Sequence, residues 1–245
     1  MRILQAEGIS KSFGGLAAVS HADIAVEQGE IVGLIGPNGA GKTTVFNLIS
    51  GAIVPDSGVI RFKDAKINGL KPNQICKMGL ARTFQSVKIF SNLTVYQNVL
   101  LGSLFGREKN VSSAEAAQEA DESLEFMGLS GSRNVLAGDL TLVNQKRLEV
   151  ARALATKPEL LMLDEMMAGL NPTEVAQAME LVLKIKEQGI TVLMIEHVMK
   201  AIMNVCNSII VLHYGEKIAE GAPGEIVTNK QVIEIYLGEW KQADV

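Results

Sequence analysis

The sequence predicts an α/β fold: a mostly parallel sheet, a small antiparallel β layer and an inserted helical lobe. Three observations predict it. Short, almost wholly apolar runs at Glu30–Ile35 and Leu160–Leu163 have the pattern of strands buried on both faces. Helical periods alternate with these runs, which calls for right-handed βαβ crossovers. Between about Ser86 and Ala155 the strand signals vanish and helical periodicity takes over. The expected division is a core of residues 1–85 and 156–245, with a helical subdomain over 86–155.

In chain order, Arg2–Gly8 and Ala22–Val26 alternate apolar and polar residues and read as half-buried strands. Gln28–Gly29 is a turn into the buried run Glu30–Ile35. Glycine-rich Gly36–Gly41 follows, then a helix from about Lys42 to Ser50. Gly58–Lys63 reads as an exposed strand that joins the N-terminal strands in the antiparallel layer. Helical stretches are expected at Thr94–Leu101, Ser112–Met127 and Thr141–Ala155, the second capped by Ser112 or Ser113 with Glu115. Leu160–Leu163 resumes the core and ends in Asp164–Glu165. Helices at Pro172–Gln188 and Val198–Val205, strands at Ile190–Ile195, Ser208–Leu212 and Lys217–Glu220, and helical segments after Pro223 complete the chain.

With 245 residues, 47% of them hydrophobic and 20% charged, the chain can bury a full core. A net charge of −4 argues against a nucleic-acid surface as the main function. Cys76 and Cys206 lie far apart with no metal-type spacing and read as reduced core residues of a cytosolic protein. No run is long enough to span a membrane, and Met1–Ser10 lacks a signal-peptide core. The mean hydropathy of +0.20 then reports a well-filled core or a face that docks on something apolar.

The run Gly36–Thr43, GPNGAGKT, fits GxxxxGK(S/T). Its glycines let backbone N–H groups turn inward around a β-phosphate, and the following helix points its positive end at the same place. Lys42 can reach β- and γ-oxygens, and Thr43 can offer a hydroxyl to Mg²⁺. The expected nucleotide contacts are Gly36, Asn38, Gly39, Ala40, Gly41, Lys42, Thr43 and Thr44. A Gly-rich turn could match by accident, but this one follows a buried strand and opens a helix, as a P-loop NTPase core requires. Asp164, ending a buried strand, can hold Mg²⁺, and Glu165 can polarise an attacking water. An apolar run ending in Asp-Glu is weak evidence alone and strong beside the phosphate loop.

With these residues the chain resembles the ATP-binding subunits of ABC transporters along essentially its whole length. The resemblance implies ATP hydrolysis with Mg²⁺. It assigns Phe13, in KSFGG, to stacking on adenine, and Gln85, in ARTFQ, to the Mg²⁺ shell and to sensing the membrane subunit. It also assigns His197, one of three histidines, to the γ-phosphate, and Ala168–Asn171 to the loop that communicates across a dimer. Asn171 stands where many members have Asp. Several stretches are similar to branched-chain amino acid importer ATPases: ARTFQ followed by IFSNLTVYQNVLLG, AGLNP, IEHV, and GEKIAEGAPGEI leading to VIEIYLGE. Importers of urea, amides and other small solutes share much of that pattern.

Two positions depart from the family. Met166 replaces the usual proline after the catalytic Glu, which bears on loop stiffness. Leu140–Asn144, LTLVN, stands where the family has LSGGQ, the stretch that completes the partner's ATP site. Thr141 keeps a hydroxyl and can cap the helix. Leu142 and Val143 put side chains where glycines allow close backbone approach. A homodimer would impair both sites, so a heterodimer with a second ATPase is expected. The resemblance further implies two membrane permease subunits, a periplasmic or surface solute-binding protein, and a peripheral position on the cytoplasmic face of the membrane. A repair or translation ABC protein would carry two cassettes or coiled-coil insertions, which this chain lacks. A degenerate regulatory subunit that binds but barely hydrolyses ATP is favoured by LTLVN and opposed by Lys42, Asp164, Glu165 and His197.

Overall fold

Strand β1 (Arg2–Phe13) turns into β2 (Leu16–Glu27), and the pair forms the centre and edge of an antiparallel layer. The computed structural model describes residues 1–108 and 111–243, with side chains through Tyr236. Both strands are longer than their alternating cores, because the register shifts between Ala6 and Ile9 and again around Lys11. Such bulges let one strand bend and continue pairing. β3 (Ile31–Ile35) is buried at all five positions, as its unbroken apolar run requires. α1 (Lys42–Ile49) buries Val45, Phe46, Leu48 and Ile49. β4 (Ser57–Phe62) pairs with β1, and the two-residue β5 (Ala65–Lys66) closes the layer in the order β2-β1-β4-β5.

The chain divides into two compact units, Leu70–Ile190 and the combination of Met1–Gly69 with Thr191–Val245. The Leu70–Ile190 unit begins with two elements absent from the sequence reading, α2 (Pro72–Lys77) and β6 (Leu80–Arg82). Six and three residues are too few to establish a period. Three helices follow within the expected 86–155 stretch: α3 (Val95–Phe105), α4 (Ser113–Phe126) and α5 (Leu142–Leu154). Each is capped by a side-chain hydroxyl. Thr94 accepts from Gln97 N, Ser112 from Glu115 N, and Thr141 from Asn144 N. β7 (Leu160–Asp164), buried throughout, runs parallel to β6, with Leu80 opposite Leu160. α6 (Pro172–Glu187) completes this unit.

The other unit resumes with β8 (Thr191–Ile195), α7 (Met199–Val205), β9 (Ser208–His213), β10 (Glu216–Gly221), α8 (Pro223–Thr228) and α9 (Lys230–Ala243). β3 lies parallel to both β8 and β9, and β10 is antiparallel at the edge. Parallel strands must be covered on both faces, which is why β3, β8 and the middle of β9 expose nothing. The register sets Leu34 beside Ile195 and Ile35 beside Val211. The carboxyl ends of three strands therefore lie side by side, where loops of an open parallel sheet bind ligands.

Candidate active site

The phosphate loop leaves β3 at that carboxyl edge. Lys42 is 7% exposed, and its ammonium donates to Gly36 O at 2.6 Å and Pro37 O at 3.1 Å. The lysine thus curls over its own loop. Gly41, at φ +100°, could not be another residue: a Cβ would fall 2.3 Å from Ala18 O of β2. A Cβ on Gly36 would meet Leu212 O at 2.2 Å. The loop is therefore wedged between β2 and β9. Its back is closed by Gly215 of the β9–β10 turn, which donates to Ala40 O and accepts from Ser20 N. Ala40 is buried, while Asn38, Gly39 and Thr43 are exposed and Thr44 is half-buried.

Phe13 sits at the β1–β2 hairpin, paired with Leu16 and 51% exposed. A ring left half in water at this place suits stacking better than core packing. His197 follows β8 by two residues and is exposed at the same strand edge as the loop. Within this unit the structure brings together Gly36–Thr44, the hairpin carrying Phe13 and the turn carrying His197.

The Leu70–Ile190 unit holds the carboxylates. Asp164 ends β7, is 2% exposed and pairs with Arg82 at 2.9 Å. Its N–H donates to Thr83 Oγ1. Glu165 follows at φ +53°, a left-handed conformation that costs a non-glycine residue free energy and occurs where surrounding contacts enforce it. Those contacts are identifiable. Gln85 Nε2 donates to Glu165 Oε2 at 2.9 Å, and Lys146 Nζ donates to Glu165 O at 3.1 Å and Ala168 O at 2.6 Å. Gln85 lies three residues past the end of β6, in an exposed segment.

Met166, where the family has proline, is 6% exposed and lines a cleft together with Val143, Leu170 and Ala178. Asn171 caps α6, accepting from Thr173 N and Glu174 N at 3.0 Å, while its own N–H donates to Glu174 Oε2 at 2.9 Å. Asparagine and aspartate serve equally there. Leu142 opens α5 with half its surface exposed, beside the Thr141 cap. The helix start is intact and carries a hydrophobic side chain where the family has glycine, as the sequence reading expected.

Sequence reasoning passed over Arg82, Thr83, Lys146 and Glu149. Glu149 of α5 is 4% exposed, and burial pushes its carboxyl above the usual carboxylate range. Charged residues along an amphipathic helix ordinarily face water, so only their register on α5 marks them. Cys206 is buried, its thiol pushed up to about 12 by burial, and it packs against Gly33. It is an inert core residue, as its isolation in the sequence suggested.

Among the described residues no three His, Cys, Asp or Glu side chains gather as a metal cage. Within the Leu70–Ile190 unit the Asp164 carboxylate and the Gln85 amide, and within the other unit the Thr43 hydroxyl, are each oxygen donors of the hard type that Mg²⁺ takes together with water and phosphate.

The profile described as ABC transporter matches residues 19–168, and that described as branched-chain amino acid ATP-binding cassette transporter matches 216–239. The high-affinity branched-chain amino acid transport ATP-binding protein BraF of Pseudomonas aeruginosa is 41% identical, the match covering 97% of this chain and 98% of BraF. Among solved structures, the ADP conformation of MJ1267, an ATP-binding cassette of an ABC transporter, superposes with a TM-score of 0.88 at 34% identity, covering 97% of this chain and 99% of that one. The dimeric structure of MJ0796, a bacterial ABC transporter cassette, gives 0.81 at 26% identity, over 90% and 98%.

Proposed function

This chain belongs to the ABC transporter ATP-binding family, and we propose that it is the motor subunit of an importer for branched-chain or other hydrophobic amino acids. It hydrolyses ATP in step with transport. The solute class is that of BraF, which it matches along nearly its whole length. Phe13 stacks on adenine, and the amides of Gly36–Gly41 with Lys42 and Thr44 hold the phosphates. Thr43, Asp164 and Gln85 hold Mg²⁺, which when bound neutralises charge on the β- and γ-phosphates. Glu165 orients and polarises the attacking water, and His197 steadies the γ-phosphate.

The observation that carries a motor over a binding-only regulator is the turn at Glu165. A carboxylate held at positive φ by Lys146 and directed at Gln85 is preorganised for chemistry rather than left on a surface. Glu165→Gln in the assembled complex should keep ATP bound and slow turnover by about 10²–10⁴-fold. Retention of most activity would instead make this chain a regulator. Leucine, isoleucine or valine, delivered by the binding protein, should stimulate hydrolysis in the purified complex. Stimulation by urea or an amide alone would move the chain to a sister importer.

LTLVN favours pairing with a different ATPase subunit whose own stretch completes the site built on Lys42. Two permease subunits and a periplasmic binding protein complete the proposed assembly, without nucleic acid. Among the described residues no helix is long and apolar enough to cross a membrane, and the proposed seat is peripheral, on its cytoplasmic face. The helical subdomain, 86–155, supplies the docking side. Replacing Leu142 and Val143 by glycine in the complex tests the assembly. A raised ATPase rate supports a weakened second site, and an unchanged rate removes it.

A further inference from the structure

We propose that Glu149 is a positioning residue for Gln85, holding the segment that carries it by that segment's backbone. This rests on the roles read above for Gln85 and Glu165. One Glu149 oxygen accepts from Lys88 N at 2.9 Å, and the other from Phe84 N at 3.5 Å. The two amides bracket Gln85, Ser86 and Val87. One turn further along α5, Arg152 donates to Lys88 O, so the helix grips both polar groups of that residue's backbone. The Arg152 guanidinium also lies 5.3 Å from the centre of the exposed Phe90 ring.

The rest of the segment is tied elsewhere. Thr83 N donates to Met162 O at the end of the β6–β7 ladder. Asn98, fully buried, accepts from Phe90 N and donates to Phe90 O and Thr94 O. Gln85 thus hangs between the ladder and Lys88, and Glu149 braces both of its flanks. A carboxylate at 4% exposure is costly unless its oxygens are bonded, and here both face amide hydrogens of one loop. Purely structural packing would be served as well by an apolar side chain. The same helix reaches Glu165 O and Ala168 O through Lys146, three residues earlier. α5 therefore fixes both members of the Gln85–Glu165 pair, and its own first turn is the Thr141–Val143 stretch.

Glu149→Gln keeps the volume but turns one acceptor into a donor facing an N–H. In the complex assembled with its co-expressed subunits, kcat should fall about tenfold or more, with KM for ATP changed less than about twofold. Added to Gln85→Ala, the same change should cost nothing further, since its effect runs through Gln85. Hydrogen exchange of the full chain should quicken at residues 84–88 and not along α5. Should Glu149→Gln fail to fold, Glu149→Asp, one methylene shorter, is read in the same way. Equal losses in both backgrounds, or a well-folded variant with normal kcat, overturn the proposal while Gln85 keeps its role. An active Gln85→Ala complex overturns both.

Discussion

The phosphate loop and the Glu165 turn achieve the same end, a fixed arrangement of polar groups, by opposite means. The loop is built of backbone. Gly36 and Gly41 lie against the carbonyls of Leu212 and Ala18, and Lys42 folds back onto Gly36 O and Pro37 O. The turn is built of side chains from α5, β6 and the segment after it: Lys146, Arg82, Thr83 and Gln85. A backbone site tolerates no added atoms, whereas a side-chain site tolerates no lost ones. That difference decides which substitutions each can survive.

The sharpest test of the side-chain half is Arg82→Met. It removes the guanidinium paired with buried Asp164, and breaking a buried ion pair from one side costs about 3–5 kcal/mol. Denaturant unfolding of the chain should show it as a lowered midpoint. A midpoint within experimental error of the parent would mean that the ion pair at 2.9 Å holds nothing.

The backbone half breaks the other way. Gly41→Ala adds one carbon, at φ +100° and 2.3 Å from Ala18 O. Strain at such a position costs on the order of 1–3 kcal/mol. Nucleotide affinity should collapse with it, which binding of a fluorescent ATP analogue reads directly. Unchanged affinity would show that the loop is not wedged against β2.

Glu149 offers a subtler comparison. Burial raises its pKa above the ordinary 4.5, so the folded state holds that proton more tightly than the unfolded chain does. Stability from this group is present below 4.5 and is lost as pH rises through the raised value. Glu149→Gln should remove that decline. Thermal midpoints measured from pH 4 upwards should then fall less steeply in the variant than in the parent, although kcat suffers. Parallel curves would place the carboxyl's cost elsewhere.

The smallest effect belongs to Asn171, whose cap belongs to neither class. Asn171→Ala should cost about 1 kcal/mol, and Asn171→Asp almost nothing. A large loss in Asn171→Asp, in unfolding or ATPase rate, would show that the amide does more than cap α6.

The two halves also differed in how readable they were. Gly36–Thr43 is contiguous, and glycine there has few purposes besides close approach, so its chemistry was legible at once. The strands around it were equally plain, since five apolar residues in a row must be buried on both faces. β6 and α2 were not, because three and six residues carry no period. Thr141 was correctly read as a cap, whereas Lys146 and Glu149 looked like surface charges of an amphipathic helix.

By itself the sequence determined the alternation of strands and helices, the phosphate loop and the family, because each is written in adjacent residues or in a local period. Only the tertiary structure decided that Glu165 adopts positive φ, that Gln85 bonds to it, and that α5 holds both. Those relations join residues 19 to 80 positions apart, whose side chains have no reason to meet until β6, β7 and α5 are packed together. The phosphate loop could be recognised before folding; the Glu165 turn exists only after it.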